Sequence, residues 1–317
     1  MRKLFIALLL FAGVVLSAQT RPPYETHFVV SRDTCDIFLD IYPPAPGSQT
    51  TFEGIQKPYI IYVFGGGFII GSRDDSYMFP WFDLLTKEGY GVISVDYRLG
   101  LKGQNMKFDL FHLPDAADKT KHAVDIGVED VFACVRYVCD HAEELGVDPS
   151  NMVLSGSSAG AMITLSGILE TCSPTVRTAV LPEGFRFKGA MSFAGAIMSD
   201  SGTPSYEVAP PPQLLFHGCE DGAVNCFKRT FGRWGFWGSF SLVEDIYSKK
   251  GYTYSLYRYV GHSHDIAAHM VATWNEQKRF LEVNVMKGLP LVIDCTLDDP
   301  MVPRLQSLTL SLSDIYQ

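Results

Sequence analysis

A serine between glycines is the first feature of the sequence that could do chemistry. Residues 156–160 are GSSAG, a G-x-S-x-G pattern that follows a predicted strand and precedes a predicted helix. A sharp strand-to-helix turn projects the central hydroxyl above the sheet, and the helix N-terminus beneath it favours an anionic intermediate. Such a pattern often arises by chance, but its position between strand and helix predicts Ser158 as a nucleophile. The adjacent Ser157 is expected to point away from the cleft.

Three glycines form a second candidate element, directly after a predicted buried strand. They occupy positions 65–67 and are followed by Phe68. Backbone without a Cβ can turn its N–H groups toward a substrate, and together with the N–H of Ala159 such donors would bind a tetrahedral oxyanion. A plain glycine-rich turn is the alternative. A phosphate-binding loop is excluded, because neither the G-x-x-x-x-G-K-[ST] nor the G-x-G-x-x-G pattern fits.

An acid and a base follow two later strands. Residues 216–221 are FHGCED and residues 261–264 are GHSH. Asp221 and His262 are predicted to complete a triad, because the chain order Ser158, Asp221, His262 is that of α/β-hydrolases. Each residue lies just past the carboxyl end of a predicted strand, where doubly wound sheets place their sites.

The elements that must position these residues alternate regularly along the chain. Two opening strands are predicted within residues 27–42, and a long helix is predicted from about 120 to 145. Further strands are expected near 58–64, 91–97, 151–155, 189–193, 213–217 and 253–260, and further helices near 78–88, 159–169, 241–250 and 265–288. This pattern predicts one α/β domain over residues 19–317, with a mostly parallel central sheet and helices on both faces. The tail after Gly288 has no clear place in it.

Composition excludes several classes of protein. The chain has 317 residues, is 47% hydrophobic and 19% charged, and carries a formal net charge of −9. These values exclude a disordered tail, a collagen-like chain and a coiled coil. The acidic balance, without a Lys/Arg cluster, argues against nucleic acid as a partner. The oligomeric state is left open.

The N-terminus has the pattern of a secretory signal peptide. Arg2 and Lys3 precede an uncharged apolar run over residues 4–16, and the small residues Ser17 and Ala18 follow. The run is shorter than the roughly 20 residues that span a bilayer, so residues 1–18 are predicted to be a cleaved signal. A buried N-terminal helix is the alternative. The mature protein is expected to be exported, to the periplasm or the medium, without stable membrane insertion.

Seven cysteines are too sparse for a fold built on disulfides. Cys134 and Cys139 lie on different faces of a predicted helix and are expected not to pair. Cys219 and Cys226 are close enough in sequence for a bridge to be possible. There is no C-x-x-C pair and no compact His/Cys cluster of zinc type, so no metal or cofactor is expected.

Taken together, these motifs resemble the carboxylesterase and lipase-like branch of the α/β-hydrolase superfamily, close to exported bacterial esterases. The resemblance runs from about residue 36 to 287 and covers DIYPP at 40–44, FGGGF at 64–68, DYRL at 96–99, GSSAGA at 156–161, FHG..D..V at 216–224 and GH at 261–262. It implies an α/β-hydrolase fold and the triad Ser158, Asp221 and His262. It also implies an oxyanion hole formed by Gly65, Gly66 and Ala159.

The resemblance also favours one candidate for the acid and one for the base, and it shows one position at which this sequence departs from the family pattern. Asp221 is preferred to Glu220, because its spacing from the preceding His217 is that of the family. His262 is preferred to His264, because it holds the family's Gly-His position and the glycine before it lets the backbone turn. Phe64 stands where many family members carry histidine before the glycines.

The main hypothesis is a serine carboxylic-ester hydrolase without a cofactor, acting on small-molecule or glycan-attached esters. A serine peptidase on the same fold is an alternative, although such peptidases usually carry a further large domain. A non-catalytic binding protein is the third, although inactive members generally lose the serine or the histidine. An aromatic wall from Trp234, Phe236 and Trp237 could select substrates, or these residues could form an ordinary packed loop.

Overall fold

The computed structural model describes residues 21–107, 109 and 111–305. The predicted signal peptide, residues 1–18, therefore lies outside the described residues. The strands, in chain order, are β1 Glu25–Ser31, β2 Asp36–Tyr42, β3 Thr51–Phe52, β4 Ile55–Gln56, β5 Tyr59–Val63, β6 Gly91–Val95, β7 Met152–Ser157, β8 Gly189–Phe193, β9 Ala196–Ser199, β10 Gln213–Gly218, β11 Lys228–Phe231, β12 Trp234–Gly238, β13 Tyr254–Tyr259 and β14 Ile293–Leu297.

Within the described part of the chain, nine strands form one central sheet in the order β1-β2-β6-β5-β7-β8-β10-β13-β14. The pairs β1–β2 and β2–β6 are antiparallel, and every later pair across the sheet is parallel. The predicted mostly parallel sheet is confirmed. The carboxyl ends of β5, β7, β8, β10 and β13 therefore meet along one edge, and the candidate site lies there.

Among the residues that the structure describes, seven α-helical segments connect or flank the strands: α1 Phe79–Lys87, α2 Leu113–Asp140, α3 Ala142–Leu145, α4 Ala159–Cys172, α5 Ser239–Leu242, α6 Ser248–Lys250 and α7 Trp274–Phe280. A π-helical segment, Val243–Tyr247, joins α5 to α6, and another, Leu281–Met286, continues α7. Helix α2 begins seven residues before its predicted start, at a turn with proline in its first positions. Within the described ranges, we find no helix of the length and apolar character that a bilayer crossing requires.

Burial explains why the central strands form where they do. Strands β6, β7, β8 and β10 are buried at every position, as expected for parallel strands that helices cover on both faces. Helix α4 is buried at all but one of its residues, so it is a core helix pressed against the sheet beneath the serine turn. This burial fixes the position of that turn.

The C-terminal tail has a place that the sequence pattern did not suggest. Residues Ile293–Leu297 form β14, which pairs in parallel with β13 and completes one edge of the sheet. Its residues alternate between half-buried and exposed, the pattern of an edge strand rather than of a buried one. The five residues alternate between apolar and polar side chains, but so short a strand outside the strand-and-helix alternation carries no signal of where it pairs.

The aromatic segment near Trp234 also differs from an irregular loop. Residues 234–238 are the middle strand, β12, of a separate sheet with the order β11-β12-β9. Trp234 and Trp237 are buried and Phe236 is half-buried. Both tryptophans pack inside the protein. The segment therefore agrees better with the prediction of a packed element than with that of an aromatic wall open to substrate.

All seven cysteines, each within the described part of the chain, are free. Cys226 Sγ lies 3.9 Å from the carbonyl oxygen of Cys219, so the two residues are neighbours without a bridge.

Candidate active site

Ser158 occupies a strained turn between β7 and α4. Its backbone has φ 52° and ψ −117°, a combination that non-glycine residues rarely adopt and that persists only where the surroundings enforce it. The Ser158 N–H donates to the carbonyl of Phe193 at the end of β8, at 2.8 Å. The turn is therefore held by the neighbouring strand, and the serine side chain stands at the sheet edge.

The two glycines of the motif are required by close contacts. A Cβ on Gly156 would lie 2.2 Å from the carbonyl oxygen of Gly160, and a Cβ on Gly160 would lie 2.1 Å from that of Val63. Real Cβ atoms do not approach backbone oxygen so closely. The G-x-S-x-G pattern thus lets α4 start immediately against β7 and β5.

A continuous chain of hydrogen bonds runs from Ser158 to Asp221. The Ser158 Oγ lies 2.7 Å from Nε2 of His264, and Nδ1 of the same ring lies 2.8 Å from Oδ2 of Asp221. Because a carboxylate can only accept, Nδ1 carries the ring proton and Nε2 faces the serine hydroxyl as an acceptor. A serine, an imidazole in this tautomer and a buried carboxylate are the components of a nucleophilic triad.

Asp221 is held as a charged carboxylate although it is buried. Its Oδ1 accepts the N–H groups of Ala223 and Val224, both at 2.9 Å. Burial alone would raise the pKa of Asp221, but hydrogen bonds from His217 and His264 outweigh it and bring that pKa well below its ordinary value. Glu220, the alternative acid, is exposed.

The structure places His264, rather than His262, at Ser158, and the predicted base is corrected accordingly. The Nδ1 of His262 lies 2.8 Å from Oδ2 of Asp265, so this ring belongs to a different group of side chains. The carbonyl of His262 accepts the N–H of Glu220 at 2.9 Å, which ties the backbone at 262 to the loop that carries Asp221. The chain therefore reaches the serine only two residues later, where a short 3₁₀ turn, His264–Ala268, begins.

Two further hydrogen bonds fix the turn that carries His264. Ser157 Oγ donates to the carbonyl of Ala267 at 2.7 Å, and Tyr77 Oη donates to the carbonyl of Ala268 at 2.6 Å. Ser157 is buried, so the two adjacent serines differ in role. Ser158 faces His264, and Ser157 anchors the backbone behind it.

The glycine loop passes directly beside the serine. A Cβ on Gly65 would lie 3.3 Å from that of Ser158, and Gly66 has φ 111°, where a Cβ would lie 2.0 Å from the carbonyl oxygen of Ile70. For Gly65, Gly66 and Ala159, the structure records no protein acceptor for the N–H among the residues it describes. Ala159 is the first residue of α4, where a helix has no internal acceptor. These three N–H groups are available to a ligand.

Phe64 and Tyr97 replace the histidine that family members often carry before the glycines. Their rings stack with centroids 4.3 Å apart, and the Tyr97 hydroxyl donates to the carbonyl of Phe64 at 3.0 Å. Aromatic packing and one hydrogen bond thus hold the start of the loop. The next residue, Arg98, pairs with Asp130 and Glu129, away from the serine.

Comparison with known proteins agrees with this geometry. The sequence profile of the Carboxylesterase family matches residues 19–191, more than half of the chain. The chain belongs to the carboxylesterase family. The carboxylesterase match includes the glycine loop and Ser158 and ends before Asp221 and His264, whose places in the site rest on their contacts.

Curated carboxylesterase relatives are much longer proteins. Human carboxylesterase 5A is 30% identical over 196 residues, which are 62% of this chain and 29% of that protein. A secreted lipase of Arthroderma benhamiae is 32% identical over 157 residues, 46% of this chain and 28% of the lipase. The matched part is thus less than a third of either relative.

A solved esterase structure matches most of the chain. Thermogutta terrifontis esterase 2 with bound propionate aligns with a TM-score of 0.58 at 22% identity, covering 84% of this chain and 96% of the other. This likeness shows that the carboxylesterase-family chain has the α/β-hydrolase fold.

Sequence reasoning missed two features near the site. The sequence favours His262, whereas His264, which also follows the last predicted parallel strand, is the residue that lies beside Ser158. The groups that hold the turn, Ser157 and Tyr77, were not recognised as such. Their contacts span 110 and 191 residues of chain, and no local pattern signals contacts of that kind.

Proposed function

We propose that the chain is a serine ester hydrolase in which Ser158 is the nucleophile, His264 the general base and Asp221 the group that orients the base. The observation that carries this proposal is the hydrogen-bonded chain from Ser158 Oγ through His264 to Asp221. Membership of the carboxylesterase family supports the same reaction.

The reaction follows from the protonation state of the histidine. His264 Nε2 removes the hydroxyl proton as Ser158 Oγ attacks the ester carbonyl carbon, and the ring becomes a cation next to the Asp221 carboxylate. The ring then gives its proton to the leaving alcohol, and an acyl-serine remains. Water attacks the acyl group by the same proton transfers, which releases the acid and restores the serine.

The oxyanion of each tetrahedral intermediate would lie between the glycine loop and α4. The N–H groups of Gly65, Gly66 and Ala159 are the proposed donors. Gly65 lies beside Ser158, and the Ala159 N–H lies at the positive end of the α4 dipole. Fixed donors at this position stabilise the negative charge that develops during attack.

The proposed substrates are carboxylic esters of small molecules or of glycans. The family name and the relatives' names support an ester, and the two substrate groups differ in the alcohol rather than in the chemistry. A panel of 4-nitrophenyl esters from acetate to dodecanoate, run beside acetylated and feruloylated glycans, separates them. Turnover of the glycans at rates well above those of the small esters would assign the glycan class.

We also propose that residues 1–18 direct export. The positively charged start, the apolar run and the small residues before Gln19 support it. N-terminal sequencing of the protein recovered outside the cytoplasm should begin at Gln19. Recovery of uncleaved chain in the cytoplasm would contradict export.

A fluorophosphonate probe tests the proposed nucleophile. The wild-type protein should gain the mass of the phosphonyl group on the peptide that contains Ser158, and it should lose ester hydrolysis in step with labelling. Ser158→Ala should lose both, while Ser205→Ala, at an exposed serine away from the proposed triad, is the control and should still be labelled. A wild type that neither hydrolyses esters nor reacts with the probe would favour the non-catalytic alternative.

A further inference from the structure

A second group of buried polar side chains lies on the loop that carries His264. It consists of His262, Asp265 and His269, whose side chains each offer one ligand atom, and these atoms all lie within 4.8 Å of one another. The three residues are 2%, 2% and 6% exposed. None of them takes part in the contacts between Ser158, His264 and Asp221, so the group is separate from the proposed triad.

Hydrogen bonding accounts for only part of this group. Asp265 Oδ2 faces Nδ1 of His262 at 2.8 Å, and Oδ1 accepts the N–H of Ser263 at 2.8 Å. His269 Nε2 lies 3.6 Å from Oδ2, beyond hydrogen-bond distance. It is buried, and it has no hydrogen-bond partner within the described ranges. A buried ring nitrogen close to a carboxylate, but without a partner, is a group that a ligand would satisfy.

The donor set has the chemistry of a transition-metal site. Imidazole nitrogen and carboxylate oxygen bind zinc at about 2.0–2.2 Å, so two ligands of one tetrahedral ion lie about 3.3 Å apart. The measured separations of 2.8 Å and 3.6 Å from Asp265 Oδ2 lie on either side of that value. Two histidines and one carboxylate also leave a coordination position for water.

We propose that His262, Asp265 and His269 bind a divalent transition-metal ion, with Zn²⁺ as the expected occupant. His262 would coordinate through Nδ1 as a neutral ring with its proton on Nε2, so a neutral ring would change tautomer and a protonated ring would release its Nδ1 proton to solvent. His269 would coordinate through Nε2. The sequence predicts no metal site because it has no compact cluster of histidine and cysteine, whereas this site pairs histidine with aspartate.

The ion would fix the His264 turn at three points. His262 precedes the turn, Asp265 lies within it, and His269 follows directly after its last residue, Ala268. Ser157 and Tyr77 already hold the carbonyls at the end of this turn. The metal would therefore act as a positioning element for the loop that presents His264, and it would not contact the ester.

Zinc binding by the full-length, untagged protein tests the proposal. After treatment with a chelator and its removal, titration of Zn²⁺ against a chromophoric indicator should show one tight site. His269→Gln and, independently, His262→Gln should weaken binding at least about 100-fold, since loss of an outer-shell partner alone typically costs 10–100-fold. Circular dichroism establishes whether each variant is folded. If one variant does not fold, the zinc affinity of the other is enough to test the proposal.

Two control variants separate this site from other histidines. His264→Gln removes the proposed base but leaves the three ligands, and His122→Gln removes an exposed histidine. Both should bind Zn²⁺ like the wild type. The proposal would be overturned by a wild type without saturable binding, by unchanged binding in His269→Gln, or by loss of binding in His264→Gln. None of these readouts depends on ester hydrolysis.

Discussion

His264 Nε2 and Ser158 Oγ lie 2.7 Å apart, although 106 residues of chain separate them. Strand β7 and the turn after β13 bring them to the same edge of the sheet. The ring reaches the serine because the backbone at His262 is held by the loop that carries Asp221. The loops of the acid and the base are therefore joined by a backbone hydrogen bond as well as by the hydrogen bond between their side chains.

Replacing the acid should separate Asp221 from its neighbour Glu220. Asp221→Asn keeps the size of the side chain but no longer fixes the tautomer of His264, so kcat should fall about 10⁴-fold. Glu220→Gln is the matched control, because Glu220 is exposed and lies one residue away; its kcat should stay near wild type. Steady-state kinetics on 4-nitrophenyl acetate measure both. A larger loss in Glu220→Gln would mean that the acid is misassigned.

A methyl group on the glycine loop should reduce catalysis more than binding. In Gly66→Ala the new Cβ would lie 2.0 Å from the carbonyl oxygen of Ile70, so the loop must shift and its N–H groups move. Loss of an oxyanion donor costs about 10²–10³-fold in kcat, with KM little changed.

Gly103→Ala is the control for that variant. Gly103 also has a positive φ, 76°, but nothing lies within 4 Å of its added Cβ. The Gly103→Ala variant should have a strained backbone at residue 103 but an unchanged kcat. Equal losses in both variants would show that strain, and not the position of the N–H groups, limits the rate.

Two glycines of α4 should respond in opposite directions to the same substitution. In Gly160→Ala the Cβ would lie 2.1 Å from the carbonyl oxygen of Val63, so the free energy of unfolding should fall by about 1–3 kcal/mol or more. In Gly167→Ala the nearest atoms are 3.5 Å away, and the better helix propensity of alanine should add up to about 1 kcal/mol. Urea unfolding followed by circular dichroism measures both. Similar changes in the two variants would be inconsistent with the close contact at Gly160.

The buried Asp221 should also make stability depend on pH. Because its pKa is lower in the folded protein than in the unfolded chain, it contributes stability above its unfolded value of about 3.9. That contribution is lost as the pH falls through the folded pKa. Asp221→Asn should therefore be less stable than wild type at pH 7, and the difference should shrink below about pH 4.

Urea unfolding of both proteins between pH 7 and pH 2 measures this difference. Glu220→Gln, at an exposed neighbouring position, should follow the wild type throughout. If the free energies of unfolding of Asp221→Asn and wild type differ by the same amount at every pH, the ionisation of Asp221 does not contribute to stability as proposed.

The sequence predicts those strands and turns whose burial requires a recognisable run of apolar residues or glycines. The continuous apolar runs of β5, β6 and β10 and the glycine-flanked Ser158 each reflect a local constraint, and they lie where expected. The sequence does not predict the edge strand β14 or the small sheet of β9, β11 and β12, because each of these strands has only four or five residues and its pairing depends on distant parts of the chain. The predicted helix over residues 265–288 divides into a 3₁₀ turn, a break, and a helix that runs as α7 to Phe280 and continues as a π-helical segment to Met286.

The choice between two histidines could not be made from local sequence. His262 and His264 differ by two residues, and both follow the last parallel strand of the predicted set. What separates them is a set of distant contacts: Glu220 holds the carbonyl of His262, and Ser157 holds the turn that begins at His264. Such contacts are defined only once the strands are assembled.

The most direct test compares kcat/KM for 4-nitrophenyl acetate in two single variants. His264→Ala removes the proposed base and should lose about 10⁴- to 10⁶-fold, near the level of Ser158→Ala. His262→Ala leaves the bonds between Ser158, His264 and Asp221 intact, and Ser157 and Tyr77 still hold the turn when the proposed metal ion is lost. It should therefore stay within about tenfold of wild type, a difference of about 1.4 kcal/mol. If His262→Ala loses the larger part of the activity and His264→Ala keeps it, the proposed triad is wrong.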